Sequence, residues 1–375
     1  MKILFTGGGS GGHFYPIIAI AEEVRRMAKE ERLITPQLFF MSPEPYDKGL
    51  LFDNEITFIR VPTGKLRRYF SLRNALDLVR TAFGVLSAII TIFRIFPDVV
   101  VGKGGYGSFP ALVAARLFNI PVFIHESDSV PGRVNRWAGK FAKRVAVSFA
   151  DAAKYFPEGR TAHTGNPIRR ILLGHDDAEL LPELQPKDGR RLIFVIGGSL
   201  GSVTINEAMF KIVPQLLDAY EVIHQTGAHN AADLAARAGV LLQNHPKHDS
   251  YRPLGYIAGK ELAAIGRAAD LIISRAGSTI FEIAAWGKPS ILIPIADSNG
   301  DHQRENAYSY SATAAAEVVE EHNLTPAILM GEIEKVLGDE KRYTTMAEAA
   351  KRFAKEDAAA VIAREIVTMA LKHEK

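Results

Sequence analysis

Thr6-Gly-Gly-Gly-Ser-Gly-Gly-His13 is the stretch on which the fold of this chain turns. Before it stands Met1-Lys-Ile-Leu-Phe5, short and apolar like a buried strand. After it, Ile17, Ile18, Ala21 and Val24 recur at helical spacing, and Pro16 stands where a first helical turn would begin. A strand, a glycine turn and a helix N-terminus together present bare backbone N–H groups and the positive end of a dipole. An anionic or strongly polar group can approach such an element closely. His13 adds a side chain able to take a proton near neutral pH, which a plain phosphate cradle does not need.

The pattern occurs again in the second half, where residues 192–196 run into Gly197-Gly-Ser-Leu-Gly-Ser202 and a helical period follows from Ile205. Strand-like runs at 3–5, 38–41, 99–101, 122–124 and 145–147 alternate with helical patterns, and 192–196, 222–224, 271–273 and 290–293 do the same. This predicts an α/β fold with parallel sheets, built as two mononucleotide-type domains facing each other across a cleft. A length of 375 residues with 47% hydrophobic content also favours two cores over one. Residues 174–190, rich in Asp, Glu and Pro, read as a connector, and 347–371 read as helix returning to the first domain.

Composition narrows the function. The chain has no Cys, which excludes disulfides, thiolate zinc sites and Cys nucleophiles and fits a reducing compartment. A formal charge of +3 gives no argument for nucleic acid. The glycine run interrupts the apolar N-terminus after Phe5, so no secretory signal is expected. The apolar segment 81–93, closed by Arg80 and Arg94, falls short of the roughly 20 residues a spanning helix needs. A soluble or surface-seated protein is expected.

Gly7, Gly9 and Gly12 satisfy G-x-G-x-x-G, but the acidic ribose partner of a dinucleotide site lacks a convincing candidate; Glu44 lies between Pro43 and Pro45. A third loop, Gly102-Lys-Gly-Gly-Tyr-Gly107, makes three glycine turns at strand ends. Together they suit a nucleotide diphosphate and a second polyanionic substrate. His125-Glu-Ser-Asp128 projects from a strand end, where adjacent side chains diverge and make poor joint metal ligands. Ser127, Asp128 or Ser129 could instead cap a helix, and for Asp128 both readings stand; for Glu126 the functional one is favoured.

Ser274-Arg-Ala-Gly-Ser-Thr279 follows another strand, with Glu282 one turn on. Its carboxylate can grip two sugar hydroxyls or serve as a favourable first-turn charge, and Ser278 or Thr279 can cap the helix. The polar run Asp301-His-Gln-Arg-Glu-Asn306 suits sugar recognition or a solvated loop. Lys65-Leu-Arg-Arg-Tyr-Phe-Ser-Leu-Arg73 precedes an apolar helix containing Leu76, Val79, Phe83 and Leu86, and Lys140, Lys143 and Arg144 add charge. An anionic membrane surface and a solvated basic rim both remain open as readings.

With these residues quoted, the chain resembles the bacterial N-acetylglucosaminyltransferases that complete lipid II, the undecaprenyl-linked peptidoglycan precursor. The resemblance is nearly full length and ordered: GGGSGGHFYP, GKGGYGSFP, HESDSVPG, GNPIR at Gly165–Arg169, GGSLGS, HQTG at His224–Gly227, SRAGSTIFE and DHQRENA. It implies a GT-B fold with an acceptor and membrane-facing domain at 1–166, a UDP-sugar domain at 167–346, and a C-terminal helix at 347–375 packed back on the first domain. UDP-N-acetylglucosamine would lie on the second domain. Ser199 and Gly201 would meet the phosphates with Arg169 nearby, Ile257 the uracil, Glu282 the ribose and Gln303 the sugar, with Ser278 and Thr279 beside them. Ser10, Gly11, Gly12, Gly104, Gly105 and Tyr106 of the N-terminal glycine loops would receive the undecaprenyl-linked muramoyl-pentapeptide, and Asp128 and Asn166 are further substrate-binding candidates. His13 would be the base, with Glu126 orienting or assisting it.

The implied reaction is inverting transfer of N-acetylglucosamine to the C4 hydroxyl of that acceptor, by an enzyme peripheral on the cytoplasmic face of the membrane and docked on anionic inner-leaflet lipids. No Asp-x-Asp occurs in the chain, so the usual carboxylate device for a metal-bound nucleotide sugar is missing and no obligatory metal or cofactor is expected. Two departures stand out. Asp128 replaces the Asn of many relatives, and the interval from Arg275 to Glu282 is one residue shorter than in many of them. The alternatives are a related transferase acting on another lipid, a UDP-sugar epimerase, a nicotinamide oxidoreductase and a non-catalytic lipid-binding module.

Overall fold

The computed structural model describes residues 1–64, 72–174, 179–187, 189–198, 201–296 and 299–373. It divides into two compact units, Met1–Arg169 with Lys355–Lys375, and Arg170–Ala354.

The first unit carries a seven-stranded parallel sheet: β1 (Lys2–Thr6), β2 (Gln37–Ser42), β3 (Ile56–Arg60), β4 (Val99–Gly102), β5 (Val122–Glu126), β6 (Arg144–Val147) and β7 (Thr161–His163). Its helices are α1 (Gly11–Glu30), α2 (Lys48–Asp53), α3 (Leu72–Ile95), α4 (Phe109–Leu117) and α5 (Arg133–Gly139). Strand order is β3-β2-β1-β4-β5-β6-β7. Both faces are covered, which is why the central strands are continuously apolar. Alternation along β1 sends Ile3 and Phe5 into one core and Leu4 into the other, joined there by Val100 and Ile124.

The second unit holds α6 (Arg170–Leu173), β8 (Arg191–Ile196), α7 (Val203–Leu216), β9 (Tyr220–Gln225), α8 (Ala231–Leu241) and β10 (Tyr251–Leu254). It continues through α9 (Gly259–Ala268), β11 (Leu271–Ser274), α10 (Thr279–Ala285), β12 (Ser290–Leu292), α11 (His302–Ser311), β13 (Ala316–Val318), α12 (Pro326–Leu337) and α13 (Glu340–Phe353). Its parallel order, β10-β9-β8-β11-β12-β13, repeats that of the first unit. In each sheet the chain reverses direction beside its first strand, between β1 and β4 and between β8 and β11. These are the switch points at which α/β folds open a crevice at the carboxyl ends of the strands.

Three expectations change. The C-terminal region is two helices, not one: α13 stays with the second unit, its end held by Phe353 against Phe281 and Tyr310, at ring separations of 5.8 and 4.8 Å. Only α14 (Ala358–His373) returns to the first unit, where Ile362, Ile366 and Val367 join the core beside α1. The domain break accordingly falls after Arg169 and the return at Lys355, in place of 166 and 347.

Second, α1 begins at Gly11, with Pro16 inside the helix and His13 in its first turn. Third, the apolar segment is not confined to 81–93. Helix α3 runs through Arg80 and Arg94, and Ala75–Ile95, 21 residues, is long and apolar enough by length and composition to cross a membrane. Its most apolar window is only 22% buried. Leu76, Val79, Phe83, Leu86, Ile90 and Phe93, spaced three or four apart, are all exposed.

Candidate active site

At the first switch point, the loops after β1 and β4 pack backbone to backbone. A Cβ on Gly105 would lie 2.8 Å from Gly8 Cα, and Gly105 has φ of +76°, so glycine is required there on both counts. The neighbouring Gly104 also has positive φ. Ser10 stands at the N-cap of α1 without a side-chain cap bond; its Oγ instead lies 2.8 Å from His13 Nδ1. The imidazole rests against Gly8, Nδ1 lying 3.0 Å from where a Cβ there would be. A Cβ on Gly11 would lie 2.8 Å from the Tyr46 hydroxyl, the tip of a side chain, and Tyr106, 37% exposed, has its hydroxyl beside Gly9. Burial, and then the charge of Glu44, push the Tyr106 hydroxyl upward, so it stays a donor.

Arg169, nearly buried, lies with its guanidinium carbon 4.7 Å from the centre of the Tyr15 ring on α1. It therefore belongs with the first unit.

Beneath these loops is a polar layer. Lys103, 1% exposed, donates from Nζ to Ser127 Oγ, which donates in turn to Asn166 Oδ1 at 3.0 Å. Ser148 reaches both Asn166 and His125 Nε2, and His125 Nε2 also lies 3.2 Å from the Gly165 carbonyl. Burial, reinforced by the Lys103 charge, holds His125 well below the usual imidazole range, so it is neutral.

Glu126 ends β5 and is 4% exposed. Its Oε1 accepts from the Asp128 N–H at 2.9 Å, and its Oε2 from Asn135 Nδ2 at 2.9 Å and the Gly132 N–H at 3.3 Å. Burial and then repulsion from Asp128 push the carboxyl up to about 7, against the pull of those donors and of Lys103. Burial lowers Lys103 to about 8, opposed by Glu126 and Asp128. Glu126 is thus an anchor for its own loop, held through Asp128, Gly132 and Asn135. The capping reading of Ser127, Asp128 and Ser129 fails, because α5 starts at Arg133 with Gly132 as its N-cap.

The second switch point is built around the loop after β8. Ser199 lies outside the described residues. Gly201, at φ of +76°, passes so close to the Thr226 carbonyl that a Cβ would lie 2.0 Å from its oxygen. Ser202 caps α7 by accepting from the Ile205 N–H at 3.3 Å. Arg275 donates to Ser202 Oγ at 2.7 Å and to the Ile293 carbonyl at 2.9 Å, and pairs with Glu321, whose other oxygen accepts from the Ala296 N–H. One guanidinium therefore ties three strand-end loops together.

Ser278 occupies the N-cap position of α10 but makes no capping bond, Thr279 opens the helix, and Glu282 stands half-buried in its first turn. Gln303, in the first turn of α11, accepts from the Ile295 N–H at 3.1 Å through Oε1, which orients its amide. Ile257 is buried and its N–H already donates to Gln225 Oε1 at 3.0 Å, so the backbone group it offers a ligand is its carbonyl.

Lys103, Asn135, Gln225, Ser202 and Arg275 were not singled out as site residues by the sequence reading. Lys103 and Arg275 stood inside quoted motifs, but a Lys or Arg beside a glycine is by default a solvated charge. Only the tertiary structure reveals that both are enclosed.

Comparison with known proteins gives these loops a lineage. Over 347 residues the chain is 36% identical to the UDP-N-acetylglucosamine–N-acetylmuramyl-(pentapeptide) pyrophosphoryl-undecaprenol N-acetylglucosamine transferase 2 of Bacillus anthracis, covering 92% of this chain and 94% of that one. The protein bearing the same description, without the number, in Clostridium perfringens is 34% identical over 352 residues, 93% of this chain and 94% of its own. The crystal structure of MurG from Acinetobacter baumannii superposes with a TM-score of 0.74 at 25% identity, covering 98% of this chain and 99% of that one. It supports the GT-B assignment of the two Rossmann-like units. Residues 3–147 match the glycosyltransferase family 28 N-terminal domain and residues 192–362 the C-terminal domain, so the loops at both switch points fall within or beside the matched regions, and the chain belongs to glycosyltransferase family 28.

Proposed function

We propose that this enzyme transfers N-acetylglucosamine from UDP-N-acetylglucosamine to the C4 hydroxyl of undecaprenyl-diphospho-muramoyl-pentapeptide, with inversion at the anomeric carbon. The observation that carries the reading is a division of labour between the two switch points. The first places a histidine in the opening turn of α1, its Nδ1 against Ser10. The second has a glycine loop at the N-terminus of α7 and a carboxylate in the first turn of α10. One is equipped to take a proton, the other to hold a nucleotide.

The acceptor hydroxyl attacks the anomeric carbon opposite UDP and gives its proton to His13. The departing diphosphate gathers negative charge, which backbone N–H groups at the start of α7 and the helix dipole stabilise. Glu282 takes the ribose hydroxyls, the Ile257 carbonyl meets the uracil, and Gln303 meets the sugar. Ser10, Gly11, Gly12, Gly104, Gly105, Tyr106, Asp128 and Asn166 line or support the acceptor side. The exposed row on α3 enters the inner leaflet from the cytoplasmic face, with basic residues beside it meeting anionic lipid. Arg67 and Arg68 of that basic segment lie outside the described residues.

Turnover of the purified enzyme with lipid-linked acceptor and labelled donor, with the product's anomeric configuration read by NMR, tests the reading. A β-linked disaccharide formed equally well in chelator supports it. Conversion of the UDP-sugar without acceptor would make the protein an epimerase, and a requirement for another lipid would reassign the acceptor.

A further inference from the structure

Gln225 ends β9 and is 1% exposed. Its side-chain amide spans two loops: Nε2 donates to the Gly198 carbonyl at 3.0 Å, and Oε1 accepts from the Ile257 N–H at 3.0 Å. Those loops are the ones to which the proposed function assigns the diphosphate and the uracil. The backbone around them is braced the same way. Thr226 donates through N and Oγ1 to the Leu254 carbonyl, at 2.8 and 3.0 Å, and the Gly227 N–H donates to the Gly255 carbonyl at 2.9 Å. On the other side the Gly201 N–H closes onto the Gly198 carbonyl at 3.0 Å, and Gly201 packs against Thr226.

We infer that Gln225 is a positioning residue that fixes the distance between the base-contacting backbone at Ile257 and the phosphate-contacting backbone at Gly198, so that a ligand carrying both uracil and diphosphate is favoured over one carrying uracil alone. Two features support this beyond ordinary packing. The amide uses its donor on one loop and its acceptor on the other, so neither loop can shift without stretching one of these two hydrogen bonds. The strut is also neutral, so it sets geometry without opposing the charge of a diphosphate. The inference rests on the second unit being the donor site.

The test measures binding of UDP and of uridine to the full-length wild type and to Gln225→Met, which keeps the length of the side chain and removes both hydrogen bonds. The ratio of UDP to uridine affinity should fall at least tenfold in the variant. A purely structural role would lower melting temperature and weaken both ligands in parallel, and an unchanged ratio overturns the inference. Should Gln225→Met fail to fold, amide exchange at Ile257 in the wild type decides. UDP, which engages both loops, should protect that amide more than saturating uridine does, and equal protection overturns the proposal. A wild type that binds uridine but gains nothing from the diphosphate removes the strut. A wild type that binds neither removes the donor assignment beneath it.

Discussion

Ser10 Oγ and His13 Nδ1 lie 2.8 Å apart at the start of α1, a contact that steadies the imidazole through one of its two nitrogens. If Nδ1–H donates to Ser10, Nε2 carries the lone pair and can accept a proton; the opposite tautomer would leave a donor where a base is needed. Ser10→Ala should therefore lower kcat by about tenfold through loss of this hold on the imidazole, with KM for the UDP-sugar unchanged. His13→Ala should lower kcat by roughly 10²–10⁴. Steady-state kinetics with saturating acceptor reads both, and a His13→Ala enzyme of normal kcat would exclude this base.

The buried pair Glu126 and Lys103 predicts a pH response in the loop it anchors. Glu126 is raised to about 7, so its contribution to stability is present below the ordinary carboxylate value and is lost as pH rises through 7. Lys103 is lowered to about 8, so its contribution is present above the ordinary ammonium value and is lost as pH falls through 8. The Asp128 and Gly132 N–H groups bonded to Glu126 report on this loop. Their exchange protection, corrected for intrinsic rates, should fall as pH rises from the ordinary carboxylate range to 7, because opening the loop releases Glu126 to ionise in water. Lys103→Met removes a charge that favours the carboxylate and should extend this fall to higher pH. A transition that stays in place would show that the lysine does not set the charge state of Glu126.

The legibility of the chain follows the physics of sheet position. All nine strand-like runs read from sequence are interior strands. The four additional ones, β3, β7, β10 and β13, are the two edges of each sheet. An interior strand of a covered parallel sheet is apolar throughout, as in the fully buried Val99–Gly102. An edge strand such as Thr161–His163, with two exposed residues of three, carries no such run. The site divides in the same way. Glycine turns announce themselves because their backbone demands are local. Enclosure of Lys103 or Arg275, and the reach of Gln225 to a residue 32 positions away, depend on contacts that no local pattern encodes.

Glu282 gives a discrimination test. A carboxylate that accepts from both ribose hydroxyls should make the wild type prefer UDP to 2′-deoxy-UDP. Glu282→Ala should weaken UDP by about tenfold, roughly 1.4 kcal/mol, while 2′-deoxy-UDP changes far less. Calorimetry on both nucleotides checks this. An equal loss for the two would mean that Glu282 acts on the helix or loop and not on the ribose.

The exposed face of α3 separates docking on a membrane from crossing one. Ala75–Ile95 satisfies the length and composition of a span, but Ala88 and Ile92 on the same helix are fully buried in the core with α4. A helix that crossed a bilayer would have to leave that core, whereas a docked helix keeps it and inserts the opposite face. Fully burying one Leu or Phe side chain contributes about 1.5–3 kcal/mol, so a few partly inserted residues suffice for reversible attachment. Phe83→Ser with Ile90→Ser should reduce sedimentation with anionic liposomes several-fold and leave UDP binding intact. Wild-type protein should be released from membranes by alkaline carbonate. Retention under carbonate would favour a spanning helix, and liposome binding that is indifferent to both substitutions would place the lipid contact on another face of the first unit.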